Sequence, residues 1–299
     1  MTEPDVSQPD LGWRELTLDD REREYSPSSC VDDLGPFLDA YARESAVARQ
    51  ACADAGLVVS EVRYGDLGTQ TIDLVSPGGS DSPAPLIVFI HGGYWQELSK
   101  TESFFAAHSC VAQGVAFAAV EYTLAPTATL DQIVGECVAA VQALVDESPT
   151  HHLDPERVVV TGSSAGAHLA AMVGLGTTGW RPAAVGLVSG IFDLEPLVGT
   201  YINDALGLDP DAARINSPSH RDLRGFPTTL IAHGSIETDQ FKRQSRLFAS
   251  MLRAQGTAVQ ELEVTDRNHF DVIMDLCNHE TALGRSIMQL TNSATARDG

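Results

Sequence analysis

A chain of 299 residues, 43% of them hydrophobic, is long enough to bury a large core and suits one α/β domain. Its 41 Asp and Glu against 19 Lys and Arg leave a formal charge of -22, which disfavours nucleic acid, membrane surfaces and polyanionic substrates as partners. The acidic N-terminus lacks the basic and apolar regions of a secretory signal and no apolar run reaches membrane-spanning length, so the expected address is the cytoplasm.

In chain order, residues 1–55 form an N-terminal segment with no strand rhythm, expected to cap the main body of a single domain over 56–299. Residues 57–65 and 69–77 show β-rich alternation around a short turn and predict an antiparallel hairpin. The Pro- and Gly-dense stretch Ser76 to Pro85 reads as a surface loop. Beyond it, LIVFI, FAAVEY, RVVVTG, AAVGLV and TTLIAHG are short, almost wholly apolar runs, the pattern of parallel strands buried on both faces. Helical stretches separate them, most clearly Leu130 to Glu147, so the alternation predicts an α/β fold with a mostly parallel sheet of about eight strands and helices on both faces. Residues 192–227 break the rhythm and are a second candidate for the cap, and the tail TNSATARDG is expected to fray. The five cysteines (Cys30, Cys52, Cys110, Cys137 and Cys277) are scattered without a CxxC pair and read as reduced thiols.

The chemistry concentrates in TGSSAGAHL. Gly162, Ser164 and Gly166 satisfy G-x-S-x-G between an apolar strand and an Ala-rich helix start at Ala165, the setting in which a strained turn presents a serine hydroxyl above the sheet. Ser163 occupies the variable position and is expected to border the pocket. A serine needs a base, and of nine histidines His269 is best placed, just after the β-rich stretch 258–265 and later in the chain than Ser164. His168, one helical turn past Ser164, is expected in packing or the pocket wall, and His233 in the core; His151, His152 and His279 read as surface residues. The orienting carboxylate should leave a strand between serine and histidine. Glu237, three residues after Gly234, is favoured, with Asp239 and Asp193 as rivals. HGGYW follows LIVFI where an oxyanion loop belongs, so the Gly92 and Gly93 N–H groups, with that of Ala165, are the expected donors.

HGGYW, SAGAHL, FKRQS after the acid, NHFD and an N-terminal YSPS together resemble the kynurenine formamidase (arylformamidase) branch of the α/β-hydrolases over most of the chain. The resemblance implies an α/β-hydrolase fold and a hydrolase that needs no cofactor, with Ser164, Glu237 and His269 as triad, which in this branch removes the formyl group from N-formylkynurenine. The chain departs from the branch at Ser163, where a histidine usually precedes the nucleophile.

These residues predict hydrolysis of a small aryl formamide or acyl amide through an acyl-enzyme, with Tyr94, Trp95 and Phe270 as an aromatic wall and Ser163 also facing the substrate. A carboxylesterase or carbamate hydrolase acting on small aromatic esters is the alternative, because both reactions use the same groups. A silent hydrolase scaffold would lack one member of the triad. No metal site is read, since ligand spacing such as HExxH is missing. The expected partner is a small aromatic acyl compound, and a homodimer is compatible with the chain.

Overall fold

The computed structural model describes residues 12–79, 82–176 and 180–293. Eight strands, β1 (Val59–Arg63), β2 (Thr71–Val75), β3 (Ala84–Ile90), β4 (Ala116–Val120), β5 (Leu153–Ser163), β6 (Ala184–Val188), β7 (Thr228–Ile236) and β8 (Val259–Asn268), form one sheet in the order β1-β2-β4-β3-β5-β6-β7-β8. β1 and β2 form the antiparallel hairpin that alternation predicts, and β2 pairs antiparallel with β4. Every later pairing is parallel. The helices are α1 (Leu18–Glu24), α2 (Gly35–Asp54), α3 (Ala107–Ala112), α4 (Leu130–Asp146), α5 (Ser148–His151), α6 (Ala165–Gly174), α7 (Asn203–Leu206), α8 (Pro210–Ile215), α9 (Asp239–Ala254) and α10 (Ala282–Ser293).

Side chains alternate across a strand, so a strand buried on both faces feeds two cores. In β3, Leu86, Val88 and Ile90 join one core with residues of α4, α6 and α9. Ile87 and Phe89 join another with residues of α2, α3 and α10. All seven residues of β3 are buried, and each large apolar side chain so placed contributes about 1.5–3 kcal/mol. α4 starts where Thr129 accepts from the Gln132 N–H while the Gln132 side chain accepts from the Thr129 N–H, a reciprocal cap. This mostly parallel sheet between two helical layers is the α/β-hydrolase fold.

The N-terminal segment supplies α1 and α2, and residues 192–227 supply α7 and α8. Thr291 to Ser293 continue α10 instead of fraying, because Leu290 and Thr291 are buried; the rest of the tail lies outside the described residues. Four of the five cysteines are buried as free thiols, and Cys30 is half-buried. Among the described residues no helix is long and apolar enough to cross a membrane.

Candidate active site

β5 ends at Ser163 and α6 begins at Ala165, leaving Ser164 alone to make the turn at φ 57°, ψ -121°. A positive φ on a non-glycine residue is strained and persists only where its surroundings enforce it. The Ser164 N–H donates to the Val188 carbonyl at 2.9 Å. A Cβ on Gly162 would lie 2.3 Å from the Gly166 oxygen, and one on Gly166 would lie 2.0 Å from the Ile90 oxygen. Both flanking positions therefore require glycine, and the turn sits at the carboxyl ends of the parallel strands, where open α/β sheets form their crevices.

Glu237 follows β7 directly and His269 follows β8 directly, and these strands are neighbours. The Glu237 Oε2 lies 3.1 Å from the His269 Nδ1, and its Oε1 accepts from the Gly234 N–H and the Ser189 Oγ, each at 2.6 Å. Burial by itself raises a carboxyl pKa; the hydrogen bond and charge of His269, with the bonds from Ser189 and Gly234, outweigh it and hold Glu237 below the usual glutamate value. A carboxylate facing Nδ1 keeps the proton on that nitrogen and leaves Nε2 as the basic atom. The imidazole is wedged edge-on between Phe241 and Phe270, with centroids 4.7 and 5.3 Å away. The rival acids lie elsewhere: Asp239 opens α9 with its side chain 90% exposed beside Lys242, and Asp193 is 3.3 Å from His220.

The loop after β3 is pinned from below, where the Tyr122 hydroxyl reaches the carbonyls of His91 and Gly92 at 3.1 and 3.3 Å. Gly93 has φ 90°, and a Cβ there would meet the Glu97 oxygen at 2.4 Å. The Ala165 N–H is at the first position of α6, so it has no partner within the helix. A cavity of about 260 Å³ joins these parts: Ser164, His269, Gly92 and Gly93 line it, as do Ser163, Tyr94 and Phe270. A serine, an imidazole oriented by a buried carboxylate and backbone donors on one cavity can carry out acyl transfer.

Trp95 departs from the aromatic wall read from sequence. Tyr94 and Trp95 both have positive φ, 49° and 61°. The first faces the cavity; the second is fully buried behind it, its indole edge-on to His168 with centroids 5.0 Å apart. His168 is a packing residue whose Nε2 lies 2.6 Å from the Asn216 carbonyl. His233 is buried, with Nδ1 3.0 Å from the Gly234 carbonyl. His152 and His279 are exposed and His151 is half-buried.

Two contributors escaped the sequence reading. Ser189, just past β6, holds the second oxygen of Glu237, and its place at a strand's carboxyl end was the available signal. Tyr25 lies in the YSPS stretch; it is fully buried, its carbonyl accepts from the Tyr94 hydroxyl, and Pro27 and Ser28 after it line the cavity. Tyr201 and Ile202 from the 192–227 segment complete that side, and the Tyr201 hydroxyl is 2.5 Å from the Ser26 Oγ. Elsewhere, Asp193, Glu195 and His220 bring possible ligand atoms within 4.8 Å of one another, but Arg14 already pairs with Glu195 at 2.7 Å.

A family model described as BD-FAE matches residues 72–181. Kynurenine formamidase of Danio rerio is 30% identical over 297 residues, covering 93% of this chain and 98% of its own length. That of Salmo salar is 30% identical over 296 residues, with the same 93% and 98% coverage. Among solved structures, a Silicibacter sp. protein provisionally assigned as a thioesterase superposes with a TM-score of 0.77 at 26% identity, over 89% of this chain and 97% of that one. With the similarity running from end to end of both formamidases, the chain is a hydrolase acting on amide or ester bonds and belongs to the kynurenine formamidase family.

Proposed function

We propose that the protein hydrolyses aryl formamides of the N-formylkynurenine type through a formyl-enzyme, with Ser164 as nucleophile, His269 as base and Glu237 as its orienting carboxylate. The observation that carries this reading is the buried Glu237–His269 pair on the cavity that Ser164 also lines. The formamidase relatives support the choice of a formyl amide.

The Ser164 Oγ attacks the formyl carbon while the His269 Nε2 takes its proton. Negative charge moves to the formyl oxygen and is met by the N–H groups of Ala165 and of the Gly92–Gly93 turn. The C–N bond breaks as His269 returns the proton to the leaving aryl amine. Water, deprotonated by His269, then attacks the formyl ester and releases formate and free Ser164. Because Glu237 holds the imidazole from Nδ1, the same ring serves both half-reactions without turning over.

A second reading, hydrolysis of small aromatic esters, is favoured by the likeness to the Silicibacter protein assigned as a thioesterase. A panel of N-formylkynurenine, formanilide and phenyl acetate separates the two. Formamide turnover that Ser164→Ala lowers by at least about 10³-fold is expected, together with loss of labelling by a fluorophosphonate. Rapid ester cleavage with inert formamides would replace the first reading by the second, and labelling that survives Ser164→Ala would remove Ser164 as nucleophile.

A further inference from the structure

Glu237 and His269 reach each other from separate loops, and strand pairing brings those loops close without fixing their alignment. β7 and β8 pair at Gly234 with Val264 and next at Ile236 with Asn268, so two steps along one strand match four along the other. Such a bulge interrupts the ladder and re-aims the residues beyond it, here the acid and the base. Asp266, inside the bulge, has φ 57°. The 3.1 Å contact between the Glu237 carboxylate and the imidazole therefore needs support from outside the sheet.

The N-terminal segment meets the chain immediately after each of the two residues. The Thr238 Oγ1 donates to the Glu24 carbonyl at 2.6 Å, and the Gln240 N–H donates to the Glu24 carboxylate at 3.3 Å. The Tyr41 hydroxyl donates to the Phe270 carbonyl at 2.5 Å. Tyr41 and Thr238 are buried, and burial pushes the Tyr41 phenol above its ordinary pKa, so it keeps the proton it donates. The rings repeat the arrangement. Phe241 and Phe270, which wedge the imidazole, are each backed by a ring from the N-terminal segment: Tyr25 lies 6.3 Å from Phe241 and Phe37 lies 5.6 Å from Phe270, between centroids. Tyr25, Phe241, His269, Phe270 and Phe37 thus form one run of rings with the base at its centre.

We propose that the N-terminal segment is a splint across the acid–base pair, with Tyr41 and Thr238 as positioning residues. Tyr41 holds the loop of His269 through the Phe270 carbonyl, and Thr238 holds the loop of Glu237 through the Glu24 carbonyl. Both hydroxyls are engaged by backbone oxygens, so they act through the loops they tie. This rests on the reading of Ser164, His269 and Glu237 as a triad and names what keeps two of its members aligned. Displacing a catalytic group by about 1 Å can cost roughly 10²-fold in rate, so losing one of two ties should cost about tenfold.

The test makes three measurements on the full chain: the rate of fluorophosphonate labelling; kcat and KM for formanilide or, if formamides are inert, phenyl acetate; and the far-downfield proton resonance of the His269 Nδ1–H, assigned by its absence from Glu237→Gln. Tyr41→Phe and Thr238→Val are each expected to slow labelling and kcat by about tenfold, leave KM within about twofold, and shift or broaden that resonance. Thr238→Ser keeps the hydroxyl and should stay within about twofold of wild type. Tyr64→Phe is the control, because the Tyr64 hydroxyl also donates to a backbone carbonyl, that of Glu121 at 2.6 Å, and its loss should leave all three readings unchanged. Wild-type rates and resonance in Tyr41→Phe, or an equal loss in Tyr64→Phe, overturn the proposal. If labelling survives Ser164→Ala, the triad reading fails instead. The splint is then judged on the resonance alone, where a change in Tyr41→Phe supports it and an unchanged signal refutes it.

Discussion

Glu237 is buried yet holds its charge because one oxygen meets the imidazole and the other accepts from a backbone N–H and a hydroxyl. Glu237→Gln would keep the volume but put a neutral amide against Nδ1, and steady-state kcat should fall by roughly 10³–10⁴-fold. Asp239→Asn, on a side chain 90% exposed, should stay within about twofold in the same assay. His168 sets a pH limit on stability rather than on chemistry. Burial lowers its pKa from 6.5 to about 4, partly countered by its bond to the Asn216 carbonyl. The unfolded chain then binds this proton more tightly than the folded one, so stability is complete above about pH 6.5 and is lost as the pH falls towards 4. The loss over that window should be about 3 kcal/mol. Denaturant titrations at pH 7 and pH 4.5 should show a shallower acid-side loss in His168→Gln. Both residues were named in the sequence, but whether a histidine faces solvent, a cavity or an indole depends on neighbours from distant segments.

At the scale of elements, the turn from β5 into α6 is where local and global demands coincide. Ile90, Gly162 and Gly166 bring three backbone segments together so closely that no Cβ fits between them. Gly166→Ala must therefore move backbone rather than a side-chain tip, and should cost about 2–4 kcal/mol in denaturant unfolding. Gly56→Ala provides the contrast: at φ +73° it is strained, but a Cβ there meets nothing within 4 Å, so about 1 kcal/mol is expected. Most strands were legible in the sequence because a strand buried on both faces leaves a continuous apolar run, β1 and β2 were legible through their alternation, and β8 was legible as a β-rich stretch. Their order was not. That β4 lies between β2 and β3, while β5 takes the other side of β3, is decided by crossovers that leave no mark in a single run of residues.

Across the whole molecule, Tyr25 ties three distant segments. Its carbonyl receives the Tyr94 hydroxyl, its own hydroxyl lies 3.4 Å from both Gln240 and Gln244, and its ring packs against Phe241. Tyr25→Ala should cost about 3–5 kcal/mol and, by loosening the wall at Pro27 and Ser28, should raise KM more than it lowers kcat. Tyr25→Phe keeps the ring and should cost about 1 kcal/mol, with KM close to wild type. Paired unfolding and kinetic measurements on the two variants separate wall from hydroxyl. The sequence by itself determined the sheet class, the strand-turn-helix at Ser164 and the order of the motifs, because these rest on periodicity and on glycines at short fixed offsets. Only the tertiary structure decided which carboxylate meets His269, that Trp95 lies behind the cavity while Tyr94 faces it, and that residues near 25 and 201 close its side. Those outcomes depend on which strands become neighbours and which way each side chain leaves its backbone, and packing between segments far apart in the chain decides both.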